Sequence, residues 1–331
     1  MRATFLDLAS VHPDDLDLSR LKGAVDDWQL LDATDRHDVA SAIAGSDVVV
    51  TNKVVLDAHC FEQSERLKLV CVAATGFNNI DIDAARQHGV TVCNVRGYAT
   101  ASVAQHVFML LLTLVTSADR YRREVDSGEW SRSEFFCLLG HPVRELEGMV
   151  LGIVGYGELG RAVARIAECF GMKVLIARRD EQDHREGRIA LHDLLQQVDV
   201  LSLHCPLTAD NHGLIGRREI ALMKPDALLI NTARGGLVDE PALLEALRSG
   251  KLGGAGLDVL EKEPPPLHSP TLKSATLKSA TRKSAIGKRG LDNLIITPHT
   301  AWASRQSRQR LIDQIAGNIL AFRRGDTRNV V

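Results

Sequence analysis

Short runs of consecutive apolar residues, separated by stretches of helical period, recur along the whole chain. Thr4–Leu8, Val48–Thr51, Leu69–Ala73 and Val90–Asn94 are continuous enough to read as strands buried on both faces. The pattern from Ile80 to His88 predicts a helix that stops at Gly89. This βα alternation predicts a parallel sheet with helices on both sides. Ala101 to Ser117 is apolar nearly all round, which predicts a buried helix. A polar connection follows from Asp119 to Glu147, and its Trp130, Phe135 and Phe136 pack either on another subunit or back on the chain.

A second alternation begins at Met149. Strands are expected at Val150–Val154, Lys173–Ala177, Val200–His204, Ala227–Thr232, Gly254–Val259 and Leu294–Thr297. Helices are expected at about Glu158–Phe170, Leu191–Gln197, Arg217–Met223 and Glu240–Ser249, with Lys224-Pro225 and Ser249-Gly250 as stops. The last helix, about Ser304 to Arg323, carries Leu311, Ile315, Ile319 and Phe322 on one stripe. One segment, 267–290, breaks the pattern. Thr271-Leu272-Lys273-Ser274-Ala275 recurs as Thr276 to Ala280 and, with one change, as Thr281 to Ala285. A five-residue period suits neither helix nor strand. The stretch between Glu263 and Asp292 holds six Lys or Arg and no acid, so a solvated, mobile basic insertion is expected, with a basic docking site for anions or a partner as the alternative.

The 331 residues are enough for about two domains. With 45% hydrophobic and 25% charged residues, the composition is that of a globular protein and excludes a disordered chain. Forty basic against 42 acidic residues give a net charge of −2, which argues against gripping nucleic acid or an anionic membrane. The longest strongly apolar stretch, Val107 to Val115, is too short to span a bilayer, and no secretory signal is visible at Met1–Asp7. The six cysteines form no Cys-x-x-Cys pair, so reduced, buried thiols in a cytoplasm are expected. His204-Cys205 lacks a second ligand cluster nearby in sequence, and no metal site is expected.

Gly155-Tyr156-Gly157-Glu158-Leu159-Gly160 follows one predicted strand directly and opens a predicted helix. In that setting the G-x-G-x-x-G spacing points to a dinucleotide cradle. Gly155 permits the tight turn, Gly157 lets backbone approach a pyrophosphate, and Gly160 lets helix and strand pack closely. The helix N-terminus then offers free N–H groups and a partial positive charge. An acid that binds the ribose hydroxyls of NAD is expected after the second strand, but Arg178 and Arg179 stand there. Two guanidinium groups suit the 2′-phosphate of NADP. The alternative is that both face solvent and Asp180 serves NAD as a displaced acid.

Three polar residues lie at or just beyond other strand ends, where ligands of open α/β sheets bind: Arg234, Glu263 and His299. Arg234 can grip a carboxylate with two prongs. His299 can pass a proton to or from an oxygen. Glu263, if close, would orient the imidazole and favour its protonated form.

With the cradle, Asn231-Thr232-Ala233-Arg234-Gly235-Gly236, Gly256-Leu257-Asp258-Val259, Glu263-Pro264 and Pro298-His299-Thr300-Ala301-Trp302 resemble the D-2-hydroxyacid dehydrogenases. The resemblance covers nearly the whole chain, from Asn52-Lys53 through Ala73-Ala74-Thr75-Gly76 onward. Cys93-Asn94-Val95-Arg96-Gly97-Tyr98-Ala99-Thr100 and His299-Thr300-Ala301-Trp302 look most like the glycerate dehydrogenase, or hydroxypyruvate reductase, branch.

The resemblance implies an α/β chain of two doubly wound parallel-sheet domains, a Rossmann cofactor domain inserted into a flavodoxin-like substrate domain. The substrate domain would take 1–98 plus 300–331 and the cofactor domain 99–299, with a cleft that closes on ligand. It implies a homodimer joined through the cofactor domains. It implies Arg234, Glu263 and His299 as catalytic, and Asp258 near the nicotinamide carboxamide. Tyr156, Glu158 and Leu159 of the cradle, with Cys205, Pro206, Thr232 and Ala233, are implied in cofactor binding. Thr75 and Gly76 are implied in holding the substrate carboxylate together with Arg234 and His299. The sequence departs from the pattern at Arg178 and in the basic repeat between Glu263 and His299. The expected reaction is hydride transfer between NAD(P)H and a small 2-oxo acid, hydroxypyruvate or glyoxylate. The alternatives are a phosphoglycerate dehydrogenase and a non-catalytic dinucleotide-sensing corepressor.

Overall fold

The computed structural model describes residues 1–275 and 291–331. The chain divides into two units, Met1–Ala99 with Trp302–Val331, and Thr100–Ala301.

The first unit holds strands β1 (Arg2–Phe5), β2 (Asp27–Leu30), β3 (Val48–Thr51), β4 (Leu69–Val72) and β5 (Thr91–Cys93). They pair in parallel in the order β2-β1-β3-β4-β5. β3 and β4 are buried throughout, as their unbroken apolar runs require. The helix Arg305–Arg323 buries Leu311, Ile315 and Ile319 completely. β1 begins and ends earlier than the apolar run Thr4–Leu8 suggests, because Leu8 already starts a 3-10 turn. β2 carries no apolar run at all. It is a half-exposed edge strand, and its Asp-Trp-Gln-Leu sequence takes its conformation from β1.

The second unit holds β6 (Val150–Val154), β7 (Lys173–Ala177), β8 (Arg188–Ile189), β9 (Val200–Leu203), β10 (Leu228–Asn231), β11 (Gly254–Leu257) and β12 (Leu294–Ile296). Their order is β12-β11-β10-β9-β6-β7-β8, every pairing parallel. The strand order reverses between β6 and β9, and that switch point is where a doubly wound sheet opens a crevice. One core packs Leu194, Val198, Ile220, Leu243 and Leu247 with Leu201, Leu229 and Leu257 of the sheet. The other packs the helices Thr100–Val115 and Glu158–Cys169 through Val107, Leu110, Leu111 and Val163 against Leu151, Ile153 and Ile230.

Three expectations change. The connection 119–147 is not all loop, since Ala118–Asp126 is a helix with no buried residue, its charged sequence hiding it from a search for apolar stripes. The basic insertion is not solvated at its start. Pro270–Ala275 is a helix with Thr271 and Ser274 buried, anchored by bonds from Thr271 to Glu240 and from Arg248 to Ser274. The rest of the predicted mobile repeat, 276–290, lies outside the described residues. All six cysteines are free thiols, but only Cys60, Cys71 and Cys93 are buried; Cys137 and Cys205 are half-buried and Cys169 is exposed.

Candidate active site

Gly155 follows β6 at φ +94°, and a Cβ there would stand 2.5 Å from the Cys205 nitrogen. A side chain would therefore be both strained and in collision. A Cβ on Gly157 would meet nothing within 4 Å, so this backbone borders open space. A Cβ on Gly160 would overlap the Gly155 carbonyl, so its absence brings helix and strand together. The helix Glu158–Cys169 begins without a side-chain cap. Its first N–H groups are left for a ligand. The Glu158 carboxylate accepts from Thr100 Oγ1 at 2.6 Å, and Leu159 is half-buried. The Tyr156 ring has the guanidinium carbon of Arg188 4.8 Å from its centre and that of Arg161 5.9 Å away.

Around this cradle, buried polar atoms stand without partners at the carboxyl ends of three strands. They are Arg178 Nε after β7, His204 Nδ1 after β9 and Thr232 Oγ1 after β10. Buried polar groups are nearly always satisfied, so orphans at the carboxyl ends of three strands of one sheet fit a polar ligand. Burial pushes the His204 imidazole down to about 4, so it is neutral, with Nε2 2.9 Å from Ser202 Oγ. Burial also raises the Cys205 thiol, which is no thiolate nucleophile. Pro206 is exposed beside it, and Ala233 is buried next to Thr232.

The acids beyond β7 are engaged. Arg185 donates to both oxygens of Asp183 at 2.7 Å, and the Arg179 N–H donates at 2.9 Å. The Arg185 hydrogen bonds and the Arg179 N–H hold the Asp183 carboxyl well below the usual carboxylate range. Asp180 lies 3.3 Å from Arg179 Nε. Arg178 is half-buried, while the Arg179 side chain is 84% exposed.

The second cluster joins residues far apart in sequence. Asn231, the last residue of β10, shapes the turn that carries Arg234. Its Nδ2 donates to the Arg234 carbonyl at 2.8 Å, and its Oδ1 accepts from the Ala233 N–H at 3.0 Å. Gly235 then lies directly on the backbone of Leu260, where any side chain would overlap the Leu260 carbonyl. That approach brings the Arg234 turn against the loop that bears Glu263. Glu263 Oε1 accepts from the Leu260 N–H at 2.8 Å, and Oε2 lies 2.6 Å from His299 Nδ1. Arg234 Nη1 donates to the Ala233 carbonyl at 2.7 Å, and the guanidinium reaches Glu263 electrostatically. Burial pushes the Glu263 carboxyl up. The bonds from His299 and the Leu260 N–H, with the charges of His299 and Arg234, outweigh it, so the carboxyl ends below its ordinary value. An ionised carboxylate only accepts, so His299 Nδ1 must donate, and Nε2 is left to gain or lose a proton. A cavity of about 720 Å³ opens beside the pair, lined at that end by Asp258, Pro264, Thr297 and Pro298.

Asp258 is tied to the loop that carries His299. Its side chain is fully buried, and its oxygens accept from Thr297 Oγ1, the Thr300 N–H and the Ala301 N–H at 2.6, 2.9 and 2.8 Å. These bonds brace the loop that carries His299. Arg234, Glu263, His299, Asp258 and the cradle belong to the second unit; Thr75 and Gly76 belong to the first, just beyond β4. Thr75 Oγ1 donates to the Val95 carbonyl at 2.9 Å, and its own carbonyl accepts from Asn94 Nδ2 at 2.8 Å. Sequence reasoning missed Asn231, Asp183, Arg188, His106 and Thr297. A buried Asn at a strand end was the one available signal; the others are ordinary residues until packing pairs them.

Comparison with known proteins agrees. Residues 108–301 match the family described as "D-isomer specific 2-hydroxyacid dehydrogenase, NAD binding domain". A protein named glycerate dehydrogenase from Methylorubrum extorquens is 42% identical over 295 residues, 89% of this chain and 88% of that one. A protein named hydroxypyruvate reductase from Blautia hydrogenotrophica is 36% identical over 337 residues, 100% of this chain and 99% of that one. A solved structure described as an acyclic imino acid reductase in complex with NADPH and D-Arg superposes with a TM-score of 0.82 at 26% identity, covering 100% of both chains. The cradle, the Glu263–His299 pair and these similarities agree: the chain belongs to the D-isomer specific 2-hydroxyacid dehydrogenases.

Proposed function

We propose that this chain uses NADPH to reduce hydroxypyruvate to D-glycerate and glyoxylate to glycolate. The observation that carries this reading is the 2.6 Å contact between Glu263 and His299, beside Arg234 and in the same unit as the cradle. The names of the Methylorubrum and Blautia relatives support the substrate class.

The Gly155–Gly160 cradle would hold the dinucleotide, whose nicotinamide would supply the hydride for C2 of the substrate. Arg234 holds the substrate carboxylate with the N–H groups not given to the Ala233 carbonyl and so fixes which face of C2 is presented. His299, doubly protonated, donates from Nε2 to the substrate's carbonyl oxygen. Glu263 holds Nδ1 and balances the imidazolium charge. In the oxidative direction neutral His299 takes the hydroxyl proton.

NADPH is favoured over NADH by the orphaned Arg178 Nε and by the engagement of Asp180 and Asp183 with arginines. The neighbour described in complex with NADPH supports the same choice. The expected result is a kcat/KM at least about tenfold higher with NADPH than with NADH, a difference of about 1.4 kcal/mol. Arg178→Asp should narrow or reverse it. Steady-state rates with each nucleotide and each 2-oxo acid check cofactor and substrate together. A preference for NADH in the unaltered chain would sink the assignment.

The reading includes a homodimer through the second unit, in the cytoplasm. Phe135, Phe136, Leu139 and Val143 support it, being 73, 91, 84 and 60% exposed on one excursion. So much apolar surface in one place is typical of an interface. Light scattering behind a sizing column should give twice the chain mass, and Phe135→Ser with Phe136→Ser should shift it toward the monomer.

A further inference from the structure

We propose that His106 and Thr297 are positioning residues for the acid–base pair, passing a chain of hydrogen bonds through Asp258 to the loop that holds His299. The proposal rests on the reading of His299 as the proton donor.

The chain can be followed atom by atom. His106 lies on the helix Thr100–Val115, and its Nε2 is 2.8 Å from Thr297 Oγ1 and 3.4 Å from Asp258 Oδ1. Thr297 Oγ1 donates to Asp258 Oδ1 at 2.6 Å. A hydroxyl has one proton, so once Thr297 gives it to the carboxylate its oxygen must accept from His106 Nε2–H. This fixes the tautomer of His106. Burial lowers the basicity of His106 against the opposing pull of Asp258, which keeps the ring neutral, so the contact is a hydrogen bond and not an ion pair.

The other end of the chain is the His299 backbone. Its N–H donates to the Asp258 carbonyl at 2.9 Å, and the next two N–H groups, of Thr300 and Ala301, donate to the Asp258 carboxylate. His299 itself sits at φ +53°, a left-handed conformation that non-glycine residues enter only when their surroundings hold them there. Asp258 is what holds it, and Asp258 in turn is oriented by Thr297 and His106. Loss of either donor leaves the fully buried Asp258 carboxylate or the half-buried Thr297 hydroxyl short of a partner, which a shift of the loop relieves. A shift of an ångström or less at His299 Nε2 is costly for proton transfer.

The test pairs removing and conserving variants. Thr297→Val and His106→Leu keep the volume and remove the polar atom. Thr297→Ser and His106→Gln keep a hydroxyl and an N–H donor at similar reach. The expected result is a roughly tenfold to hundredfold fall in kcat for Thr297→Val and His106→Leu. KM for hydroxypyruvate and NADPH affinity should stay within about threefold of the unaltered enzyme, because the polar atoms removed are engaged with each other and with Asp258. The Ser and Gln variants should recover most of the rate, and the double removal should cost little more than either single one. An unchanged kcat in Thr297→Val, or equal losses in the removing and conserving variants, overturns the proposal. His299→Ala separates the two ideas. Full activity there defeats the reading of His299, whereas loss there with an intact Thr297→Val defeats only the positioning chain.

Discussion

His299→Ala should lower kcat for hydroxypyruvate reduction by about a thousandfold while NADPH affinity stays close to that of the unaltered enzyme. General acid–base groups contribute about 10²–10⁴ to rate. Among the described residues no other imidazole is bonded to Glu263, whose second oxygen is already taken by the Leu260 N–H. The pH dependence gives the sign. Reduction needs the proton on Nε2, so its rate should fall as pH rises; oxidation needs Nε2 free, so its rate should rise. In His299→Ala both slopes should vanish. Glu263→Gln should cost less, about tenfold to a hundredfold, because an amide oxygen still accepts from Nδ1 but no longer balances the imidazolium charge. The Glu263 carboxyl lies below its ordinary value in the folded chain. Its contribution to stability is therefore fully present above about pH 4.3, the unfolded value, and is lost as pH falls through the lower folded value. Rates in both directions across pH, with a direct NADPH titration, check the set. A His299→Ala enzyme with undiminished kcat removes the proton donor from the mechanism.

Arg234→Ala should act mainly on kcat/KM for the 2-oxo acid. Two charge-assisted hydrogen bonds to a carboxylate are worth about 3–4 kcal/mol together, which is roughly two to three orders of magnitude. Arg234→Lys should recover only part, since an ammonium keeps the charge and loses the planar fork. NADPH binding should change little, because the cradle is Gly155–Gly160 and the Arg234 guanidinium lies with the Glu263–His299 pair. The loss should shrink for a substrate whose carboxylate is replaced by a neutral amide. An equal loss for acid and amide would mean that Arg234 does not hold the carboxylate.

Much of this could be read from the chain. Val48–Thr51, Leu69–Val72, Val200–Leu203 and Leu228–Asn231 are buried throughout, and a parallel strand covered on both faces has no polar side to interrupt its apolar run. The cradle was equally plain. The roles of Gly155 and Gly160 are matters of backbone strain and contact within one βα turn, which six consecutive residues specify. Edges were harder. β2, β8 and the helix Ala118–Asp126 bury little, so hydrophobic pattern carries almost no information about them. The helix Pro270–Ala275 was hidden by its repeat, whose period misled, and its anchor on Glu240 comes from a distant element.

For the site, strand ends alone singled out Arg234, Glu263 and His299, because a doubly wound sheet gathers its ligands there. Their partners were a different matter. Whether Asp258 meets a ligand or braces a loop, whether Asp180 and Asp183 remain available for a ribose, and whether His106 is filler or a donor all turn on contacts between segments up to about 190 residues apart. Periodicity and motif spacing report the short-range preferences of the backbone. A buried side chain's hydrogen bonds depend on which distant group the packed core leaves within 3 Å of it, and that is settled when the helices close on the sheet.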